Sequence, residues 1–477
     1  MHIKMRKIAS VLALAAALLA GAAPVDEGRR LYLEGNYQEA VEQLRPVVRR
    51  TPRDGNANFY LGASLSALGQ YADAKPYLVK AADRGVTDAY RILTLQSLEQ
   101  YDPESASDYI SSWRSKLTRN RREVPEELET LSSRAVMLRN MLARVESIEI
   151  LDSIVVGAED FFQAYRLSEP AGRILPPEAV RRVGAGEGAF ELGTAFMPQN
   201  RTEMLWAQAD TTGTMALYGA GILDDGTLEH SAPLDAALAE GGSAAYPFLM
   251  PDGMTLYFAN TGDNSLGGYD IFMTRRDHDS DDGDTYLQPQ NIGMPYNSPY
   301  DDYMLAIDEH SGLGWWATDR NQIADSLTIY VFAPAEMRVN VEPTDSNLVA
   351  LARLSDISLT RRAGVDYDAL LAGKLPERRQ ETHSPGQIFT LDLGGGTVYT
   401  QLNDFRNNAA RSAMVEYLGA RMALDRHLAQ EQALRDRYRN GDRSVASQIE
   451  ESEADTARQR RTLRNLLNSA IRLERRN

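Results

Sequence analysis

Along the chain the spacing of apolar positions changes twice. From residue 23 to 146 apolar residues recur every three or four positions, the period of one helix face. "GRRLYLEGNYQEAVEQLRPVVRRTP" and "YLGASLSALGQYADAKPYLVKAADRG" superimpose: Gly35 and Gly69, Tyr37 and Tyr71, and Ala40 and Ala74 are each 34 residues apart. Gly62 would let paired helices approach closely, Tyr71 would fill the gap between them, and Ala74 and Ala81 would keep the contact small. A third unit is expected over 88–114, turning at Tyr101-Asp102-Pro103. Roughly three repeats are needed to bury a continuous core. A helix opening at Pro125, with Leu128, Leu131, Ala135, Leu138, Leu142 and Val145 on one seam, is therefore expected to cap the array, a dimer-forming helix being the alternative.

At Ser147 the pattern becomes strand-like, and 147–402 reads as all-β, short apolar runs broken by Gly, Pro, Asn and Asp. Three segments echo one another, each with an aromatic-rich strand, a polar turn and a second aromatic strand. Phe258 and Phe272, like Trp316 and Tyr330, are 14 apart, and Trp206 and Tyr218 are 12 apart. Sheet units repeated at such intervals predict a β-propeller of five blades, or six at about 42 residues per blade. Beyond Asn403 the helical period returns. Met414, Leu418, Leu424, Leu428 and Leu434 mark one face, and Ile449, Leu463 and Ala470 another, with Thr456 interrupting it. Residues 403–477 are expected to form an antiparallel helical hairpin turning at Asn440-Gly441-Asp442. The fold class expected is multidomain α + β: helical solenoid, propeller, hairpin.

A net charge of −16 argues against a phosphate-backbone binder, so no nucleic-acid partner is expected. Lys4, Arg6 and Lys7 precede the apolar run Ile8–Leu19 and the small residues Ala20-Gly21-Ala22, which together read as a signal peptide over 1–22. The run is too short to span a bilayer, so no membrane span is expected in the mature form. With no cysteine there are no disulfides, no thiolate chemistry and no residue for a lipoprotein anchor. The expected compartment is the periplasm.

The 34-residue period is that of the tetratricopeptide repeat. "YPFLMPDGMTLYFAN…GGYDIF" resembles the TolB-type, WD40-like PD40 propeller repeat. In it Pro251-Asp252-Gly253 forms the turn, Tyr257-Phe258 fills the core, and Gly268-Tyr269-Asp270 opens the next strand. "NIGMPYNSPYDDYMLAIDEHSGLGWWATDR", which includes Trp316 and Asp319, resembles the blade linker of exported tetratricopeptide–PD40 proteins of Bacteroidota. Relatives of that kind often carry an OmpA-like peptidoglycan-binding domain, which is missing here. The resemblance implies a scaffold in an envelope or secretion-associated assembly. Its expected partners are envelope proteins, among them OmpA-like, outer-membrane or lipoprotein components.

"LDLGGGTVYT" resembles a phosphate loop, but no second phosphate loop or α/β body accompanies it, and Gly394–Gly396 is expected to form a turn or bulge. Asp392 aligns with Asp152, which suggests two related strands from opposite ends of the propeller closing its ring. Asp277, Asp279 and Asp281 have the alternate spacing of a calcium loop, yet Asp282 occupies the position that needs glycine. Asp301-Asp302 and Glu309-His310 are expected to serve turns. Of Trp315-Trp316, one is expected in the core and one at the surface. No zinc or hydrolase motif is present, and no catalytic residue and no cofactor are assigned. The expected function is a non-catalytic scaffold, with glycan binding or hydrolysis on the propeller as the alternative.

Overall fold

A computed structural model describes residues 24–158, 161–177, 180, 191–223, 228–277, 285–321, 326–375, 391–393, 398–399, 401–439 and 442–475. The predicted signal peptide, Asp279, Asp281, Gly394–Gly396 and the Asn440-Gly441 turn lie outside the described residues. The protein is mixed α + β and divides into two compact units. One comprises residues up to Glu146 with Asn340–Arg353; the other comprises Ser147–Val339 with the chain from Leu354 onward.

The first unit is helical. Helices α1 (Pro24–Leu33) and α2 (Tyr37–Arg50), α3 (Gly55–Ala67) and α4 (Tyr71–Asp83), and α5 (Asp88–Glu99) and α6 (Pro103–Arg119) follow in pairs, and α7 (Glu126–Leu142) ends the series. Gly35 and Gly69 follow α1 and α3 with φ of 78° and 72°, and nothing would touch an added Cβ at either. The backbone conformation, not space, selects glycine there. The third pair turns at Tyr101 with φ 58°, and the Asp102 side chain caps α6 by accepting from Ser105 N–H at 2.9 Å. Within the pairs, Gly28 faces Leu44 and Gly62 faces Leu78 so closely that a methyl group would overlap the leucine. Ala40, Ala74 and Ala81 are fully buried in the shared core. All six seam positions from Leu128 to Val145 are buried as expected. A short helix α8 (Leu348–Arg353) returns to this unit, where Arg353 lies over the Tyr101 ring at 5.4 Å.

The second unit carries the strands. One antiparallel sheet has the order β2-β3-β4-β5-β6 (Arg173–Leu175, Leu192–Met197, Glu203–Ala209, Met215–Ile222, Leu228–Pro233). The next is β7 (Ala244–Leu249), β8 (Thr255–Asn260), β9 (Asp270–Asp277) and β10 (Thr285–Tyr286), with β11 (Gln290–Asn291) also on β9. The third is β12 (Asp302–Asp308), β13 (Leu313–Thr318) and β14 (Ser326–Ala333), completed by β1 (Glu149–Gly157) from the start of the unit. The three aromatic pairs are direct cross-strand neighbours: Trp206 opposite Tyr218, Phe258 opposite Phe272, Trp316 opposite Tyr330. The clusters place the sheets face to face in chain order. Phe196 and Leu205 of the first sheet meet Phe248 and Phe258 of the second. Ile271 of the second meets Leu305, Trp316 and Phe332 of the third.

Three expectations are corrected. The described residues form three such sheets and one two-stranded pair, where five or six blades were expected, because between Ala333 and Lys374 the chain leaves the sheet pattern. It then forms α8, α9 (Tyr367–Lys374) and 3-10 turns in place of strands. Trp315 and Trp316 are both buried, since the third sheet is covered on both faces. The strands bearing Asp152 and Asp392 do not act as a pair: β1 joins β14, whereas β15 (Leu391–Asp392) joins β16 (Val398–Tyr399).

The last two helices, α10 (Asn408–Arg439) and α11 (Ala446–Arg475), pack on each other. His427 Nε2 lies 3.1 Å from the Ser452 carbonyl oxygen. The buried Glu474 carboxylate accepts from Arg406 N–H and Asn407 N–H at the start of α10 and from the Tyr399 hydroxyl.

Candidate interaction site

The second unit gathers half-buried aromatics of its sheets at one place. Tyr246 lies on β7, Tyr269 just before β9 and Tyr303 on β12. Tyr246 and Tyr303 stack at 4.5 Å, and Tyr269 meets their edges at 5.7 and 6.4 Å. Phe161, on the turn after β1, sets its edge against both stacked rings at 6.1 and 5.5 Å. β-Bulges create the convergence: the registers of β3, β7 and β12 each slip near their starts. Tyr246 and Met304 there take φ of 56° and 58°. Such a bulge re-aims the side chains around it.

Three hydrogen bonds anchor the segment behind this cluster. The Tyr165 hydroxyl donates to the Met304 carbonyl at 2.8 Å, and Ser168 donates through N–H and Oγ to Asp308, both at 2.8 Å. Burial pushes the Tyr165, Tyr246 and Tyr303 phenols well above the usual tyrosine range, with neighbouring phenols reinforcing it and the carboxylates of Asp301, Asp319 and Glu191 adding at the rim. Tyr269 is raised by burial too. All four phenols are therefore neutral hydrogen-bonding groups on apolar bodies.

Acidic residues beside the cluster are spent on holding the chain. Asp301 accepts from Tyr269 N–H at 2.7 Å, and Asp319 accepts from Asp301 N–H at 2.9 Å. Asp270 is fully buried and accepts from Leu266 N–H, Gly267 N–H and the Asn291 amide at 2.9, 3.2 and 2.7 Å. Burial, with the Asp302 charge adding, pushes it up to about 7 against those donors. Asp302, also buried, accepts from Ser298 Oγ and pairs with Arg320 at 2.6 Å. Burial raises its pKa and Arg320 opposes the rise. The same guanidinium donates to the carbonyls of Pro295 and Tyr296 at 2.9 and 2.6 Å. Burial raises Asp308, but the bonds from Ser168 and Ser311 hold it below the ordinary carboxylate range. Carboxylates bonded in this way position backbone.

The motif residues fall where their chemistry suits them. Asp252 Oδ1 accepts from Met254 and Thr255 N–H, both at 2.8 Å, beside Gly253 with φ 68°. Phe258 is buried and Tyr257 half-buried. Gly267 and Gly268 lie against Tyr300 and Asp301 so tightly that a Cβ on either would overlap them. That contact is why a glycine pair precedes β9. Tyr37 and Tyr71 begin α2 and α4, and the Tyr71 hydroxyl bonds Glu99. Asp277 ends β9, opposite Thr285. Among the described residues no group of three His, Asp or Glu side chains is placed to hold a metal ion. None of their helices is long and apolar enough to cross a membrane. Sequence reasoning did not single out Tyr246, Tyr303, Asn297 or Arg320.

Comparison of the chain with protein-family models, with curated proteins and with solved structures finds no match.

Proposed function

We propose that this protein is a non-catalytic scaffold that binds protein partners through the tyrosine cluster of its strand unit. The single observation carrying this reading is the convergence of Tyr246 on β7, Tyr269 just before β9 and Tyr303 on β12, half-buried, with neutral phenols. Tyrosine is enriched where proteins meet because a rigid ring gives large contact area and its hydroxyl gives a directed bond. Two engaged rim carboxylates, Asp301 and Asp319, favour contact over hydrolysis, since one oxygen of each already accepts from a backbone N–H. A second aromatic strip supports the same reading in the helical unit. There Tyr32 lies 5.7 Å from both Tyr37 and Tyr60, all half-buried.

Within this proposal the helix pairs are tetratricopeptide-like, the three sheets are blades of a TolB-type, PD40-like propeller, and the last two helices form an antiparallel hairpin. The charged and apolar start of the chain is a signal peptide, the compartment is the periplasm, and the partners are envelope proteins. The test is capture from cross-linked, solubilised envelopes with the full chain as bait. Tyr269→Ala with Tyr303→Ala should remove a discrete partner that the parent chain retains. Retention of the same proteins by the variant, or glycan cleavage by the isolated chain, would refute the reading.

A further inference from the structure

The sign of the charge reverses in the last two helices. Residues 403–477 hold 15 arginines and no lysine against 11 carboxylates, a surplus of four positive charges in a chain whose net charge is −16. Where α10 and α11 face each other they leave a cavity of about 550 Å³. Its lining includes the short side chains of Ala420 and Ala423 and the amides of Gln430 and Gln459. His427 ties the helices together on the wall, its Nε2 3.1 Å from the Ser452 carbonyl oxygen and 3.2 Å from its hydroxyl. Arg426 and Arg458 line the cavity from opposite helices, and Asp455, which pairs with Arg458 along α11, is the carboxylate in its wall.

We propose that this cleft docks an acidic segment of a partner protein, with Arg426 and Arg458 as its anchoring groups. A guanidinium presents a planar fork of donors that matches a carboxylate, and two of them on facing walls can grip successive acidic side chains. The glutamine amides can bond the segment's backbone. An open groove between two helices with two guanidiniums and one carboxylate in its lining suits a single acidic segment, whereas a bilayer surface or a nucleic-acid backbone is met by a continuous basic face. This site is separate from the tyrosine cluster, so either can fail without the other.

The test is fluorescence anisotropy of the full chain with a labelled glutamate-rich 15-residue peptide and its glutamine counterpart. The expected result is saturable binding of the acidic peptide alone, weakened at least about tenfold by Arg426→Gln with Arg458→Gln, and weakened by raising salt from about 0.05 to 0.5 M. Asp455→Asn should tighten binding, because it frees Arg458 from its competing carboxylate, and a misfolded variant cannot mimic a gain. Equal binding of the glutamine peptide, an unchanged affinity in the double variant or a loss in Asp455→Asn would overturn the proposal. So would stronger uptake by phosphatidylglycerol vesicles or DNA, or occupation of the cleft by self-association.

Discussion

Asn297 treats Ile271 as a strand neighbour would: its amide oxygen accepts from Ile271 N–H at 2.7 Å and its amide nitrogen donates to Ile271 C=O at 2.9 Å. The side chain is fully buried and also donates to Asn291 Oδ1 at 2.7 Å. One residue of the linker thus satisfies a peptide unit of β9 on the side that no full strand covers. Asn297→Ala leaves the buried Ile271 N–H without a partner, while the Ile271 carbonyl keeps the Ile292 N–H at 3.2 Å, so a loss of about 1–3 kcal/mol is expected. Asn297→Asp should cost about as much, because a carboxylate cannot donate to the carbonyl. Urea unfolding followed by fluorescence of Trp206, Trp315 and Trp316 would measure both; a change under about 0.5 kcal/mol would contradict this role.

Arg320 supplies the second fastening of the same linker. Replacing it with alanine removes the partner of the fully buried Asp302 carboxylate and two bonds to the carbonyls of Pro295 and Tyr296. A cost of about 3–5 kcal/mol is expected for leaving such a charge uncompensated. Arg320→Lys should recover part of it, since an ammonium cannot span the same acceptors.

Glycine substitutions should separate strain from collision. At Gly253 an added methyl group meets open space, and only the φ of 68° resists it, for a cost of about 1–2 kcal/mol. At Gly267 the methyl group would run into the backbone oxygens of Tyr300 and Ser298. Gly267→Ala should therefore lower the melting temperature more than Gly253→Ala. The reverse order would mean that the linker does not lie against this turn.

Asp270 gives the strand unit a pH dependence of known sign. Its folded value is pushed up to about 7, above the ordinary carboxylate range, so the folded state holds the proton more tightly. Its contribution to stability is then fullest below the unfolded value of about 3.9, and it is lost as pH rises through about 7. Asp270→Asn cannot titrate. The stability of the parent relative to this variant should fall between about pH 4 and 7 and level off above that; a difference that grew with pH would contradict the assignment.

Much of the local structure was legible in the sequence, because it depends on short-range rules. The 34-residue spacing located the helix pairs since Gly35 and Gly69 answer a backbone requirement that recurs with the repeat. Trp206–Tyr218, Phe258–Phe272 and Trp316–Tyr330 stood out because cross-strand partners around a short turn keep a nearly fixed separation. The number of sheets was not legible. Residues 340–375 carry the same Gly, Asp and short apolar runs as the strand region, and only tertiary contact makes them helix and turn. The tyrosine cluster was hidden for a related reason. Tyr246, Tyr269 and Tyr303 meet through bulges and sheet stacking, and no spacing along the chain encodes that meeting.

The most direct measurement is site-specific photo-cross-linking at the rim of the tyrosine cluster. A benzoylphenylalanine replacing the exposed Glu191, which faces Tyr246 and Tyr269 electrostatically, would be compared with one replacing the exposed Leu287. The scaffold reading predicts a discrete protein adduct from position 191 in envelopes that is absent from position 287. That adduct should disappear when Tyr269 and Tyr303 are changed to alanine. No adduct at 191, or the same adducts at both positions, would contradict it.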